Sequence, residues 1–423
     1  MLLTALAIAI WFSSSGEYNP KLPPHPPLPN PNALDAYAQV GRTLKQSGAL
    51  RVAYPAGFRA GPSPAGELAL VATSGPLLTT IRSAASMQCL MPSHRETNSP
   101  YPWLEDIRPV ATLLGAEGDV QAARGDFAGE ASTGLDMIQI GLNLERGGEI
   151  VHEILAARFQ AQGQLHVAKA LDHLSVSQCD SIAARLRSLL HSRVPVSDIV
   201  RETGYSVVAQ IAHYDGSEVY NGFSVGRSEI PLPRGFVRSG AKARWRVTRD
   251  RALHQTEAYF EALARQAELP SFRRKPVAPP TEPAVSSSVL YANMATYCDT
   301  ADARDRLVLC ALAICSYRLR HHRPPAQLSD AGLSVPETAD PWSGRPFVYR
   351  ATGGDYILYS VGPDGIDGGG APADSLAWGG PDKGDVGIAP FWSGEGRVFS
   401  PYYRPVPHML PPKVPPGALP LLP

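Results

Sequence analysis

Aspartates crowd one late stretch of the chain. Asp364, Asp367, Asp374, Asp382 and Asp385 fall among closely spaced glycines, with few apolar side chains between them. Calcium takes roughly six to eight oxygen ligands, a mix of carboxylates and backbone carbonyls, and glycine lets a chain wrap closely enough to offer both. Without a cation these carboxylates repel one another, so Ca2+ is the cofactor that this composition predicts. A solvated acidic loop without metal is the other reading of the same residues.

Other reactive side chains are less well placed. Gly222, Phe223, Ser224, Val225 and Gly226 match the Gly-x-Ser-x-Gly pattern that sets a serine on a strand-to-helix elbow in hydrolases. Here Pro231 and Pro233 follow too soon for the required helix, and no apolar strand precedes Gly222. His152 and Glu153 begin a His-Glu-x-x run, but Ala156 stands where a second zinc histidine is needed. The pair is expected to face solvent, opposite a stripe of Ile150, Val151, Ile154 and Leu155. A hydrolase using Ser224, or His152 and Glu153, is therefore an alternative only, and the chain is read as non-enzymatic. His321 and His322, being adjacent, point in different directions and read as helix-end charges. Cys89, Cys179, Cys298, Cys310 and Cys315 form no Cys-x-x-Cys pair, which suggests structural burial for most. Cys310 and Cys315 lie roughly 140° apart around one helix and are not expected to bond to each other.

These residues must be held by elements with their own signatures. Ile182, Leu186, Leu189 and Leu190 recur at helical spacing, as do Ile150, Val151, Ile154, Leu155 and Phe159, with Gly147 and Gly148 as a stop before them. Residues 116–144 have the small-residue pattern of one tetratricopeptide-like helical hairpin, though no 34-residue period continues beyond it. An array of such hairpins commonly presents a surface to another protein. Residues 215–247 lose the helical period and read as an inserted irregular loop or short hairpin. Leu307, Cys310, Ala311, Ile314 and Tyr317 form a further helical stripe that ends in basic residues and then Pro324 and Pro325. Phe347 and Tyr349, then Tyr356, Leu358 and Ser360, alternate as strands do and join through Thr352, Gly353, Gly354 and Asp355, a hairpin signal.

Proline-rich segments punctuate the chain and read as spacers or tails. The resulting division is 1–15 a truncated signal anchor or signal peptide, 16–33 a linker, 34–268 a helical domain, 269–288 a linker, 289–400 a small domain of helix plus antiparallel sheet, and 401–423 a tail. The fold class is α+β: an all-α helical-hairpin domain, then that small domain. The apolar run MLLTALAIAIWF is shorter than the roughly 20 residues a bilayer span needs and is expected to anchor or export the chain. The 423 residues balance 39 basic against 39 acidic side chains, with no basic run carrying aromatics, so nucleic acid is excluded as a partner.

One further pattern carries a family resemblance. Asp340, Pro341, Trp342, Pro346, Tyr349, Tyr359, Ser360, Gly362, Asp364 and Gly365 resemble the C-terminal region of the type II secretion pseudopilin G family. There a turn and strand lead into a second strand ending Tyr-Ser-x-Gly-x-Asp-Gly, and the loop after it holds calcium. The resemblance implies a helix followed by a small antiparallel sheet. It implies Asp364 as a calcium ligand, the Val361 carbonyl as its neighbour, and Asp385 as the later ligand. Ala371 to Gly380 lengthen the segment between those two aspartates relative to the family. The pilin N-terminal signature is missing, which argues against a filament subunit. The expected protein is thus non-enzymatic and of the bacterial cell envelope, meeting protein partners through its helices and the membrane through its N-terminus. An accessory part of a type II secretion or type IV pilus-like machine is the other expectation.

Overall fold

The computed structural model describes residues 18–53, 63–95, 101, 103–213, 238–280, 293–370 and 384–388. The expected signal anchor, Ser224 and its elbow, Asp374, Asp382 and the C-terminal tail lie outside the described residues.

The described chain is mostly helical, with one small antiparallel sheet near its C-terminal end. In order come α1 (Ala33–Ser47), α2 (Ala49–Ala53), α3 (Pro64–Thr73), α4 (Gly75–Ala85), α5 (Leu104–Ala123), α6 (Phe127–Glu145), α7 (Ile150–Ala170) and α8 (Val176–Leu190). Then follow α9 (Val196–His213), α10 (Arg238–Ala267), α11 (Met294–His321) and α12 (Val335–Thr338), and finally β1 (Val348–Thr352) and β2 (Asp355–Tyr359). The helical hairpin expected at 116–144 is α5 and α6, joined at Gly125, with the Asp126 side chain accepting from the Gly129 amide at 2.9 Å to cap α6. Gly147 ends α6 in a left-handed conformation, as the glycine pair suggests. The irregular segment expected at 215–247 is corrected over its last residues, since the chain is helical from Arg238; residues 215–237 lie outside the described residues.

Helices α6 and α7 meet backbone to backbone. A Cβ at Gly163 would stand 2.3 Å from the Gly134 carbonyl oxygen, and one at Gly134 would stand 2.6 Å from the Gly163 carbonyl oxygen. Beyond α6, α7 also packs on α5, α9 and α11. The exposed side of α7 runs through Arg158, Gln162 and Lys169, and this overturns one expectation: His152 and Glu153 lie off that side and are both 1% exposed.

The core does not divide at residues 269–288. One buried cluster takes Leu135 and Ile138 from α6, Val167 from α7, Cys179 and Leu186 from α8, and Leu307 to Cys315 from α11. It continues through Trp342, Phe347, Tyr356 and Leu358 to Val386 and Ile388. Nor do the proline-rich segments behave as free spacers where they are described. The Tyr18 hydroxyl donates to Glu257 at 2.7 Å, and Arg95 donates to the Pro23 carbonyl. Ser271 and Arg274 both bond to buried Asp299, and the Phe272 amide donates to the Pro341 carbonyl at 3.2 Å. Extended proline-rich backbone leaves its carbonyls without internal partners, so nearby donors can bind it along a helical surface.

The C-terminal module follows the sequence closely. Helix α11 ends at His321, with His322 at φ 56 as its cap, ahead of Pro324. Strands β1 and β2 pair antiparallel from Val348↔Tyr359 to Thr352↔Asp355 around Gly353 and Gly354. The turn of 340–346 is organised by Asp340, which is 1% exposed. One carboxylate oxygen accepts from the Trp342 amide and the other from the Val361 amide, both at 2.9 Å. The turn is thereby fastened to the end of β2.

Candidate functional site

The acidic loop leaves β2 and is met by a second segment. Ser360 and Val386 exchange amide-to-carbonyl hydrogen bonds of 2.9 and 2.8 Å, so residues 384–386 lie alongside the start of the loop. Gly362, at φ 70, lies so close that a Cβ there would stand 2.0 Å from the Gly384 carbonyl oxygen. Only glycine fits.

This pairing brings Asp364 and Asp385 into one loop cluster. Asp364 accepts from the amides of Ile366 and Gly384, each at 3.1 Å, and so bridges the two segments. Asp385, 3% exposed, accepts from Gly368 at 3.2 Å and from Gly370 at 2.6 Å. Asp367 takes the Tyr359 hydroxyl, the Gly369 amide at 3.0 Å and Arg350 at 3.1 Å. Tyr359 sits in the Tyr-Ser-x-Gly sequence, but its role as a partner of Asp367 was not legible there. Val361 stands at the mouth of the loop, its amide on Asp340.

The electrostatics agree with crowded carboxylates. Burial pushes Asp385 above its ordinary value; the Gly368 and Gly370 amides oppose this, and Asp367 and Asp364 add to it. Asp367 moves the other way, held down chiefly by the Tyr359 hydroxyl and the Gly369 amide. The donors are hard oxygens, as calcium prefers. Each carboxylate is already oriented by amide donors, and no three His, Cys, Asp or Glu side chains among the described residues are grouped as metal ligands.

His152 and Glu153, adjacent in sequence, enter separate buried clusters. His152 stacks on Trp103 with ring centroids 4.8 Å apart and lies edge-on to Tyr101. Its Nδ1 accepts from the Glu149 amide at 3.0 Å. Burial, with His94 nearby, pushes His152 down to about 3. Glu149, bonded by the Tyr101 hydroxyl, is pushed up to about 7 by burial.

Glu153 faces a network that sequence reading did not find. Arg193 donates to Asp305 at 2.7 Å, to Asp302 at 3.1 Å and to Gln160 at 2.5 Å. Gln160 donates to Glu145 at 2.6 Å, and Gln164 donates to Asp305 at 2.7 Å. Burial pushes Glu145 up to about 7 against the pull of Arg193, and raises Glu153 well beyond the usual range, Glu145 adding to it. These groups join α6, α7 and α11, with Glu145, Glu153, Gln160, Gln164 and Asp305 buried and Arg193 and Asp302 partly exposed at the edge. A cavity of about 430 Å³ lies elsewhere, between residues 19–25 and the end of α9, lined in part by His25, Arg95 and His213. None of the expected site residues lines it.

The chain was compared with protein-family models, curated proteins and solved structures, and it matches none of them. No helix among the described residues is long and apolar enough to cross a membrane.

Proposed function

We propose that this chain is a non-enzymatic protein of the bacterial cell envelope. Its tetratricopeptide-like helical scaffold docks other proteins and carries a calcium-stabilised module like the C-terminal domain of pseudopilin G. The observation that supports this best is the meeting of Asp364 with the 384–386 segment, directly after a helix and an antiparallel hairpin. That is the layout the resemblance implies. Asp364 and Asp385 would hold the ion, with Asp367 and the Val361 carbonyl beside them. Among the described residues Arg350 pairs with Asp367 and no basic side chain pairs with Asp364 or Asp385, so a bound cation would supply positive charge there. The burial of His152 and Glu153 in two separate clusters supports this reading over a hydrolase that uses them.

Calorimetric titration of the full chain with calcium tests the reading. Saturable binding of one ion per chain is expected, lost in Asp364→Ala and in Asp385→Ala. The absence of any binding heat at millimolar calcium, with the fold intact by circular dichroism, would refute the metal centre.

A further inference from the structure

Two of the five cysteines meet where helices α8 and α11 cross. Cys179 and Cys315 are 0% and 3% exposed and belong to the same buried cluster. The crossing is fixed by bonds on either side of them. Ser316 donates to Asp180 at 2.6 Å, Arg320 also pairs with Asp180, and Arg318 donates to Asp172 at 2.8 Å. The Cys315 thiol lies 3.3 Å from the Leu171 carbonyl oxygen, in the turn that leads into α8. Ser316 and Asp180, the residues next to these two cysteines, are hydrogen-bonded across the crossing, so Cys315 and Cys179 are set side by side within one buried cluster, and each thiol perturbs the other.

The remaining cysteines are elsewhere. Cys89 lies in the core formed by α1, α4 and α5, Cys298 beside Glu153, and Cys310 faces the Glu337 carbonyl oxygen at 3.9 Å. All five are free thiols in this structure.

We propose that Cys179 and Cys315 form a redox-controlled disulfide that ties α8 to α11. The oxidant is a disulfide-class reagent, RSSR, such as glutathione disulfide or the oxidised form of a dithiol oxidoreductase. One cysteine thiolate attacks an oxidant sulfur and releases RS⁻, and the second then attacks the mixed disulfide and releases another. In sum, two cysteine thiols and RSSR give one protein disulfide and two RSH, the thiol protons passing to the released thiolates. Cys315 is the better first nucleophile. The Cys179 thiol donates to it and Arg318 lies near, and together they hold Cys315 below the ordinary thiol range. The bond would join the helical scaffold covalently to the helix on which the sheet packs. This inference is independent of the calcium reading.

Counting thiols in the full chain tests it. The protein is oxidised with glutathione disulfide in two ways, once in the native state and once while refolding from urea in a glutathione redox buffer. It is then alkylated in denaturant and mapped without reduction. The expected result is a fall of two from the five alkylatable thiols, a linked peptide pair containing Cys179 and Cys315, and a rise in melting temperature that dithiothreitol abolishes. Cys310→Ser should still lose two thiols and give the same linked pair, whereas Cys179→Ser should give no linked pair and lose at most the one thiol that Cys315 contributes to a glutathione mixed disulfide. Five alkylatable thiols in both arms, or a link joining other cysteines, would overturn the proposal.

Discussion

Single side chains carry much of the order in the C-terminal module, and Asp340 most of all. Its two oxygens hold amides on either side of the hairpin, at Trp342 and Val361. A buried carboxylate accepting two such bonds is worth about 3 kcal/mol, because its loss also strands the donors. Urea unfolding of Asp340→Ala is expected to show that loss, with Asp340→Asn less affected. Buried titratable groups give a second test. Glu149 is pushed up to about 7 from its ordinary 4.5, so between those values the folded chain keeps a proton that the unfolded chain has released. Its contribution to stability therefore falls as pH rises through that window, by about 3 kcal/mol in all. Glu145 acts in the same direction, and His152 in the opposite one, since the folded chain refuses a proton that the unfolded chain accepts below about 6.5. Against the parent, Glu149→Gln should gain relative stability steadily from pH 4.5 to 7. Parallel curves for parent and variant would show that Glu149 is not the group responsible.

At the level of elements, what could be read from the sequence depended on how local the cause was. The hairpin was legible to the residue because alternation and the Gly353-Gly354 turn lie within a dozen positions. Helix α11 was legible from its apolar period and its basic, proline-stopped end. The placement of Asp364 beside residues 384–386 followed only from the resemblance, because the bridging Gly384 amide lies beyond a long insertion. On helix α7 the pair His152 and Glu153 was wrongly placed toward solvent, because the groups that enclose this helix are distant in sequence. Arg193 and Asp305 are among them. The contacts of Tyr18, Pro23, Ser271 and Arg274 were not legible for a similar reason: composition gives extended backbone but not the helices that receive it. The α6–α7 contact offers a direct test. Gly163→Leu would force two backbones apart and should cost about 3 kcal/mol in chemical denaturation. Gly115→Ala in α5, where the new methyl meets nothing within 4 Å, should instead gain about 0.5–1 kcal/mol from the helix preference.

For the whole molecule, the shared core implies that the chain on either side of residues 281–288 stays together even when cut. A protease cleaving there should yield two fragments that co-elute on gel filtration under native conditions and separate only in denaturant. Two independently migrating folded pieces would mean that the buried cluster from Leu135 to Ile388 does not hold them. The central claim is the calcium-stabilised loop, and thermal melting of the full chain tests it most directly. An ion bound only by the folded state adds RT ln(1 + [L]/Kd), about 2.7 kcal/mol at a hundredfold excess over Kd. The melting temperature should be a few degrees higher in millimolar calcium than in chelator, and Asp364→Ala should erase most of that difference. Superimposable melting curves for the parent chain with and without calcium would contradict the claim.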